Sequence, residues 1–212
     1  MKGKFVRGAS FLVQSIGVLG GTFDPIHLGH LILGEYVGEY LNLSQVLFVP
    51  AGTPGHKRDR NVTSAEHRRA MTELAIADNP RFHLCTVDLE RQGATYTVDT
   101  LKSIKRIYPD RELSFIIGSD NLLDLLNWRQ PEQVISLCNL AVMPRPGFSI
   151  SEAKQRLGSL YIEERIKIVP AFTIDISSTD IRNRISQGIS VRYLIPESVS
   201  SYIEEHGLYG YR

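Results

Sequence analysis

Two histidines stand three residues apart at the mouth of a glycine-rich turn, in the stretch GVLGGTFDPIHLGH over residues 17–30. A short apolar run precedes this turn, and a helical pattern follows it. If a helix begins there, His27 and His30 share one face of its first turn. The pair could ligate a metal, act as a general base with its partner, hold a phosphate, or only cap and pack.

The glycines around the histidines favour an anion site. Gly20 and Gly21 fall where the strand is predicted to end, and a missing side chain lets a ligand approach the backbone closely. The N–H groups of Gly21, Thr22 and Phe23 and the N-terminus of the next helix can donate to an anion. The string is neither a Walker loop nor the dinucleotide pattern GxGxxG. A metal would need further ligands, and no such cluster stands nearby in sequence, so we expect no metal held by the protein alone.

A second constellation lies about 150 residues later, in the string IDISSTDIRNRI over residues 174–185. Ser177 or Ser178 is expected to cap a helix there. Capping does not explain Arg182, which stands three residues after Thr179, so that hydroxyl, guanidinium and helix N–H groups point to one location. Such a set suits phosphate oxygens.

The elements that must position these residues alternate along the chain. This alternation predicts an α/β fold, a Rossmann-like doubly wound parallel sheet of about five to six strands with helices on both faces and a helical C-terminus. Ligands bind beyond the carboxyl ends of the strands in such sheets, and both constellations follow predicted strands. The predicted strands are 16–19, 45–52, 81–89, 112–120, 138–147 and 165–172, and the predicted helices are 28–41, 64–77, 97–108, one from about 119, 178–187 and 196–206.

Composition indicates one folded domain, which we place at residues 16–212. The 212 residues are 42% hydrophobic and 22% charged, and the formal net charge of +1 offers no global attraction to nucleic acid or acidic membranes. No apolar run approaches the ~18 residues of a membrane span. Cys85 and Cys138 lie in apolar segments and are expected to be buried free thiols, which suits a cytoplasmic protein. Residues 1–15 are expected to be a disordered extension or an early start rather than a signal peptide.

GGTFDPIHLGH together with ISSTDIR resembles the nucleotidyltransferase superfamily that shares its fold core with the class I aminoacyl-tRNA synthetases. Within it, the chain most resembles the bacterial nicotinate-nucleotide adenylyltransferases. Further signals follow in order: VPAGTPGHK, GATYTVDTL, FIIGSDNLLDLLNW, VMPRPG and YLIPESVSSYIEEHGLYG. The resemblance implies transfer of the adenylyl group from ATP to nicotinate mononucleotide in NAD biosynthesis, with deamido-NAD and pyrophosphate as products.

The resemblance also implies a role for each matching residue. Trp128 would stack on the pyridine ring, with simple packing as the alternative, and Thr97 would face the nicotinate carboxylate unless it caps a helix. Mg²⁺ would be carried by the ATP phosphates. The implied catalytic residues are His27, His30 and Arg182; the implied ATP-binding residues are Gly20, Gly21, Thr22, Phe23, Lys57, Gly118, Asp120, Ser178 and Thr179; the implied mononucleotide-binding residues are Tyr96, Thr97, Trp128 and His56.

Other functions stay open at this point. Nicotinamide mononucleotide or phosphopantetheine could accept the same adenylyl group, and a remote alternative is a nucleotide-sensing module without catalysis. The expected partners are the small-molecule substrates ATP and nicotinate mononucleotide, without nucleic acid or membrane. The sequence does not distinguish a monomer from a homo-oligomer, nor the acid from the amide mononucleotide.

Overall fold

A six-stranded parallel sheet forms the centre of the computed structural model, which describes residues 15–54, 62–170 and 175–211. The strands are β1 (Ser15–Gly21), β2 (Gln45–Pro50), β3 (Thr53–Pro54), β4 (Phe82–Leu84), β5 (Ala94–Thr95), β6 (Glu112–Gly118), β7 (Asn139–Met143) and β8 (Ile166–Ile168). The helices are α1 (Leu28–Tyr40), α2 (Ala65–Ile76), α3 (Thr97–Ile107), α4 (Ser119–Leu123), α5 (Pro131–Leu137), α6 (Ile150–Leu157), α7 (Ser178–Ser186) and α8 (Glu197–Glu205), with 3₁₀ turns at Leu125–Asn127, Gly158–Leu160 and Leu208–Gly210.

The strand order of the large sheet is β4-β2-β1-β6-β7-β8, and every neighbouring pair is parallel. The chain builds outward from β1 to β2 and β4, and then returns to the other side of β1 with β6. The direction of winding therefore reverses between β1 and β6, which is where doubly wound sheets bind ligands. The predicted fold class is confirmed, with six strands and a helical C-terminus.

Helices cover both faces of the sheet, as the alternating side chains of β2 show. Val46 and Phe48 belong to one apolar cluster, which includes residues of α1, α2, α7 and α8. Leu47 and Val49 belong to the other, which includes residues of α3, α5 and α6. Because successive strand residues point to opposite faces, a strand that is apolar throughout must be covered on both sides.

Several predicted boundaries need correction. The strand predicted at 81–89 is only the three residues of β4, after which the chain turns and the Cys85 N–H donates to the Phe48 carbonyl at 2.9 Å. Helices α5 and α6 and the small parallel sheet of β3 and β5 are not in the prediction, because such short elements show little periodicity. Thr97 does not cap α3, since Tyr96 occupies the N-cap position and Thr97 begins the helix.

Part of the sequence prediction lies outside the described residues: the N-terminal extension apart from residue 15, the end of the strand predicted at 165–172, His56 and Lys57. Within the described ranges, no helix has both the length and the apolar character needed to cross a membrane. Cys85 and Cys138 are buried and unpaired, as predicted. Burial raises the pKa of both thiols, that of Cys138 to about 12.

Candidate active site

A cleft of about 410 Å³ opens where β1 ends and α1 begins, and the N-terminal end of α7 forms its other side. We call it the phosphate cleft. The two motifs that the sequence separates by about 150 residues meet across it. The predicted residues that line it are Thr22, Phe23, His27, His30, Ser178, Thr179 and Arg182.

The histidine pair is stacked rather than merely adjacent. The ring centroids of His27 and His30 are 3.6 Å apart, with 23° between the ring planes. His27 is the N-cap of α1, and its backbone N–H donates to Nδ1 of His30 at 3.3 Å. Since Nδ1 of His30 accepts this bond, the neutral ring carries its proton on Nε2 and can donate from there.

Two neighbours fix the position of these rings. The buried Phe23 ring is nearly perpendicular to the His30 ring, with the ring centroids 4.9 Å apart. A Cβ at Gly29 would lie 3.0 Å from Nδ1 of His27. Any larger residue at Gly29 would therefore displace the His27 ring, which explains the glycine between the two histidines.

Burial makes both histidines weak bases. It lowers the pKa of His27 from 6.5 to about 4. The pKa of His30 is also lowered well below 6.5, mainly by burial and further by the proximity of His27. Both rings are thus neutral hydrogen-bond donors at neutral pH, and the positive charge at the cleft comes from arginine.

The buried neutral state of His27 should appear as a pH dependence of stability. Its pKa is lower in the folded protein than in the unfolded chain, so the unfolded state binds more protons below about pH 6.5 and stability falls as the pH drops towards 4. We expect His27 alone to lower the free energy of unfolding by about 2 kcal/mol between pH 7.5 and 5.0. Urea unfolding of the wild type and His27→Gln at both pH values measures this contribution.

The exposed His83 provides the matched control, and His83→Gln should lose as much stability as the wild type over this pH range. In His27→Gln the loss should be smaller by the contribution of that ring. An identical loss in the wild type and His27→Gln would show that His27 is not held neutral by burial.

The start of α7 is tied directly to the turn after β1. Ser177 caps the helix by accepting from the Asp180 N–H at 3.1 Å, which selects it over Ser178 as the cap. The hydroxyl of Ser178 instead donates to the Pro25 carbonyl at 2.9 Å. These contacts place the N-terminal N–H groups of α7 beside the histidine turn.

Arg182 makes a second bond across the same junction. Its guanidinium donates to the Asp24 carbonyl at 2.7 Å and to the Thr179 hydroxyl at 3.2 Å. The predicted convergence of hydroxyl, guanidinium and helix N-terminus is therefore present. The Asp24 carbonyl and the Thr179 hydroxyl fix the orientation of the guanidinium.

Gly118 and Asp120 lie beside the phosphate cleft but do not line it. Asp120 forms an ion pair with Arg145 at 2.5 Å, and the buried Ser119 hydroxyl accepts from the Arg145 N–H at 3.0 Å. Arg145 itself does line the cleft. It is a second guanidinium that the sequence prediction did not select, although the string VMPRPG contains it.

A second hollow of about 230 Å³ lies at the crossover between β1 and β6, and we call it the switch-point pocket. Residues of β1, β2, β6 and the start of α3 surround it. Trp128 contributes from one side, with its ring edge-on to Phe115 at 6.1 Å between centroids, so it both packs and lines the pocket. The predicted residues found here are Gly20, Gly21, Tyr96, Thr97 and Trp128.

Asp88 and Thr100 are among the polar residues of the switch-point pocket that are not in the sequence prediction. The Asp88 carboxylate is buried, and the Thr100 hydroxyl lies 2.8 Å from each of its oxygens. Burial raises the pKa of Asp88. Arg129 stacks over the Tyr96 ring at 4.7 Å, and its side chain reaches to 4.0 Å from the Asp99 carboxylate. No sequence motif predicts that Asp88 lines this pocket, because only the fold brings its carboxylate next to Thr100.

Comparisons with known proteins agree with this architecture. The cytidylyltransferase-like family matches residues 18–184. Two bacterial proteins, each named "Probable nicotinate-nucleotide adenylyltransferase", are 44% identical to this chain. The one from Thermoanaerobacter sp. (strain X514) aligns over 199 residues, 92% of this chain and 93% of that protein. The one from Thermus thermophilus aligns over 194 residues, 92% of this chain and 98% of that protein.

A solved structure shows the same fold. It is the Plasmodium falciparum nicotinic acid mononucleotide adenylyltransferase complexed with NaAD, with a TM-score of 0.75 and 21% identity. The match covers 94% of this chain and 98% of that one.

Proposed function

Because the chain belongs to the nicotinate-nucleotide adenylyltransferases of the cytidylyltransferase-like family, we propose that it transfers the adenylyl group of ATP to nicotinate mononucleotide. The products are nicotinate adenine dinucleotide and pyrophosphate, and the pathway is NAD biosynthesis.

One observation carries the proposal: both hollows share the carboxyl end of β1. Gly20 and Gly21 line the switch-point pocket, while the next two residues, Thr22 and Phe23, line the phosphate cleft. A triphosphate in the cleft and a pyridine nucleotide in the pocket would therefore bring their phosphates together at this strand end. That is the arrangement an in-line transfer between two nucleotides requires.

The chemistry needs no covalent enzyme intermediate. The 5′-phosphate of the mononucleotide has a second pKa near ~6 and is mostly a dianion at neutral pH. One of its oxygens attacks the α-phosphorus of ATP, a new P–O bond forms, and the bond from that phosphorus to the bridging oxygen breaks as pyrophosphate leaves. No proton has to be removed from the nucleophile, which explains a site without a dedicated base.

The protein would contribute position and charge stabilisation. His30 donates from its neutral Nε2–H to an oxygen of the α-phosphate, and Arg182 and the α7 N-terminus hold the departing phosphates. His27 lines the same cleft, and its neutral ring supplies a further polar contact to the phosphates.

Mg²⁺ is proposed to arrive with ATP. The cleft offers guanidinium, hydroxyl, imidazole and N–H groups, which bind phosphate rather than a hard cation. Asp24 is the acidic residue that lines the cleft, and its two oxygens already accept from the Tyr209 hydroxyl at 2.7 Å and the Thr63 N–H at 3.3 Å. This donor set fits an ion bound to the phosphates, where it would neutralise part of their charge.

The nicotinate carboxylate is proposed to lie at the N-terminal end of α3. The N-terminal end of a helix attracts negative charge, and here Thr97, the first residue of α3, lines the switch-point pocket. Arg129, stacked on Tyr96, adds positive charge at the same end. A neutral carboxamide would gain less from both, so the acid should be preferred.

Pyrophosphate release tests the proposed function. The wild-type protein with ATP and Mg²⁺ is offered nicotinate mononucleotide, nicotinamide mononucleotide and phosphopantetheine in parallel. We expect nicotinate mononucleotide to be the best acceptor, with kcat/KM at least ~10-fold above the amide. A preference for phosphopantetheine would reject the assignment, and nucleotide binding without pyrophosphate release would favour a sensing module.

We also propose a cytoplasmic location. It is supported by the two buried, unpaired cysteines, which suit a reducing compartment, and by substrates that are intracellular nucleotides.

A further inference from the structure

Arg68 in α2 is almost completely buried, with 2% of its surface exposed, and lines neither the phosphate cleft nor the switch-point pocket. Among the described residues, its guanidinium makes four hydrogen bonds, all to backbone carbonyls. They run from Nε to Thr63 at 3.0 Å, from Nη1 to Thr22 at 2.8 Å and to Ala51 at 2.6 Å, and from Nη2 to Gly52 at 3.2 Å.

These carbonyls belong to segments that are adjacent in space but distant in sequence. Thr22 lies in the turn after β1 and lines the phosphate cleft. Ala51 follows β2 and lines the switch-point pocket, and Gly52 comes next. Thr63 precedes the N-cap of α2. The Arg68 guanidinium therefore hydrogen-bonds to backbone segments that line the phosphate cleft and the switch-point pocket, although Arg68 itself lines neither.

Asp24 completes this cluster and connects it to Arg182. Asp24 is 4% exposed, and its carboxylate accepts from the Thr63 N–H and the Tyr209 hydroxyl. The backbone carbonyl of the same residue accepts from Arg182. A shift of Asp24 would therefore move the acceptor that aligns Arg182 with the cleft.

Nearby charged and polar groups favour the charged form of Arg68. Burial lowers the pKa of Arg68, and the nearby Asp24 and Tyr209 oppose that effect. Burial also raises the pKa of Tyr209, so its hydroxyl stays protonated and continues to donate. Burying an arginine costs more than burying an apolar residue of similar size, so its presence here calls for a reason beyond packing.

We infer that Arg68 is a positioning residue for adenylyl transfer. It holds the turn after β1 directly and, through Thr63 and the Asp24 carboxylate that Tyr209 also binds, it holds the guanidinium of Arg182 in the geometry that binds the triphosphate. The inference rests on the proposed function. The planar fork of arginine spreads its donors over three nitrogens and so reaches carbonyls that lie apart, whereas the lysine ammonium offers its three donors from a single nitrogen.

The test compares Arg68→Met, Arg68→Lys and Tyr209→Phe with the wild type. We expect Arg68→Met to lower kcat about 10- to 30-fold and to raise KM for ATP about 5-fold, because the triphosphate contacts are misplaced. Arg68→Lys keeps the charge but should still lose at least ~5-fold in kcat. Tyr209→Phe removes one buried hydroxyl and should lose about 3-fold.

Ala75→Gly is the matched control for stability. Ala75 is buried in the same helix, about two turns after Arg68, and lines neither hollow. Glycine at this position weakens α2 without removing a hydrogen bond to the four carbonyls. A smaller folded fraction lowers kcat and leaves KM for ATP unchanged. A rise in KM for ATP in the Arg68 variants, absent in Ala75→Gly, therefore separates positioning from stability.

The inference would be overturned if the Arg68 variants matched Ala75→Gly in kcat per folded molecule and kept the wild-type KM for ATP. If Arg68→Met does not fold, Arg68→Lys and Tyr209→Phe decide by the same criteria. Failure of the proposed function is a separate result, namely no pyrophosphate release by the wild type. In that case the variants are compared with the wild type by the rise in Tm that ATP produces. An equal rise in the wild type and the Arg68 variants would reject the positioning role.

Discussion

Replacement of His30 by alanine is expected to lower kcat by about 10²- to 10³-fold, the scale of losing one preorganised donor at a reacting phosphate. The physical reason is the Nε2–H of a neutral ring, oriented by the bond from the His27 N–H and by the Phe23 ring. His30→Gln keeps a neutral donor on a side chain of similar reach and should retain more activity than the alanine variant. Steady-state pyrophosphate release measures both.

The low pKa of His30 sharpens this prediction. A cationic histidine would gain activity as the pH falls towards 6, whereas a ring held neutral by burial should give no such histidine-dependent rise between pH 6 and 8. His83→Ala, at an exposed position on β4, is the control and should match the wild type. Unchanged turnover in a folded His30→Ala protein would remove His30 from the mechanism.

A loss of about 10²- to 10³-fold in kcat is also expected for Arg182→Ala. Arg182 is placed by its bonds to the Asp24 carbonyl and the Thr179 hydroxyl, and it brings positive charge to the cleft where the histidines are neutral. Arg182→Lys keeps the charge but not the planar fork, so we expect an intermediate loss of about 10-fold.

The same helix offers a matched control for Arg182. The guanidinium of Arg184 donates to the Ser190 carbonyl at 3.0 and 2.9 Å and does not line the phosphate cleft. Arg184→Ala should therefore keep wild-type kcat and KM for ATP. Equal activities of Arg182→Ala and Arg184→Ala would show that the triphosphate does not depend on Arg182.

Much of the fold follows from local sequence patterns. Helices α1, α2, α7 and α8 begin and end within a residue or so of the predicted bounds, because an apolar period, a cap and a breaker are all local signals. The continuous apolar runs of β1, β2 and β6 likewise predict strands covered on both faces. Short elements such as α5 and α6 carry too few residues for that kind of signal.

The residues of the candidate site likewise fall into those that the sequence could predict and those that it could not. The histidine pair, Thr179 and Arg182 could be predicted because each motif is contiguous and each residue type suits phosphate. Sequence patterns could not separate Gly20 and Gly21, which line the switch-point pocket, from Thr22 and Phe23, which line the phosphate cleft. That division depends on which neighbouring strands lie beside each peptide of the turn.

By itself, then, the sequence determined the alternation of strands and helices, the two candidate phosphate-binding motifs and the family they indicate. Only the tertiary structure decided that Ser177 caps α7, that Nδ1 of His30 accepts a hydrogen bond, that Arg145 lines the cleft and that Arg68 bonds to the turn after β1. The reason is physical. Local propensity depends on residues a few positions apart, whereas burial, tautomer and hydrogen-bond partners depend on groups that only the crossovers of the sheet bring together.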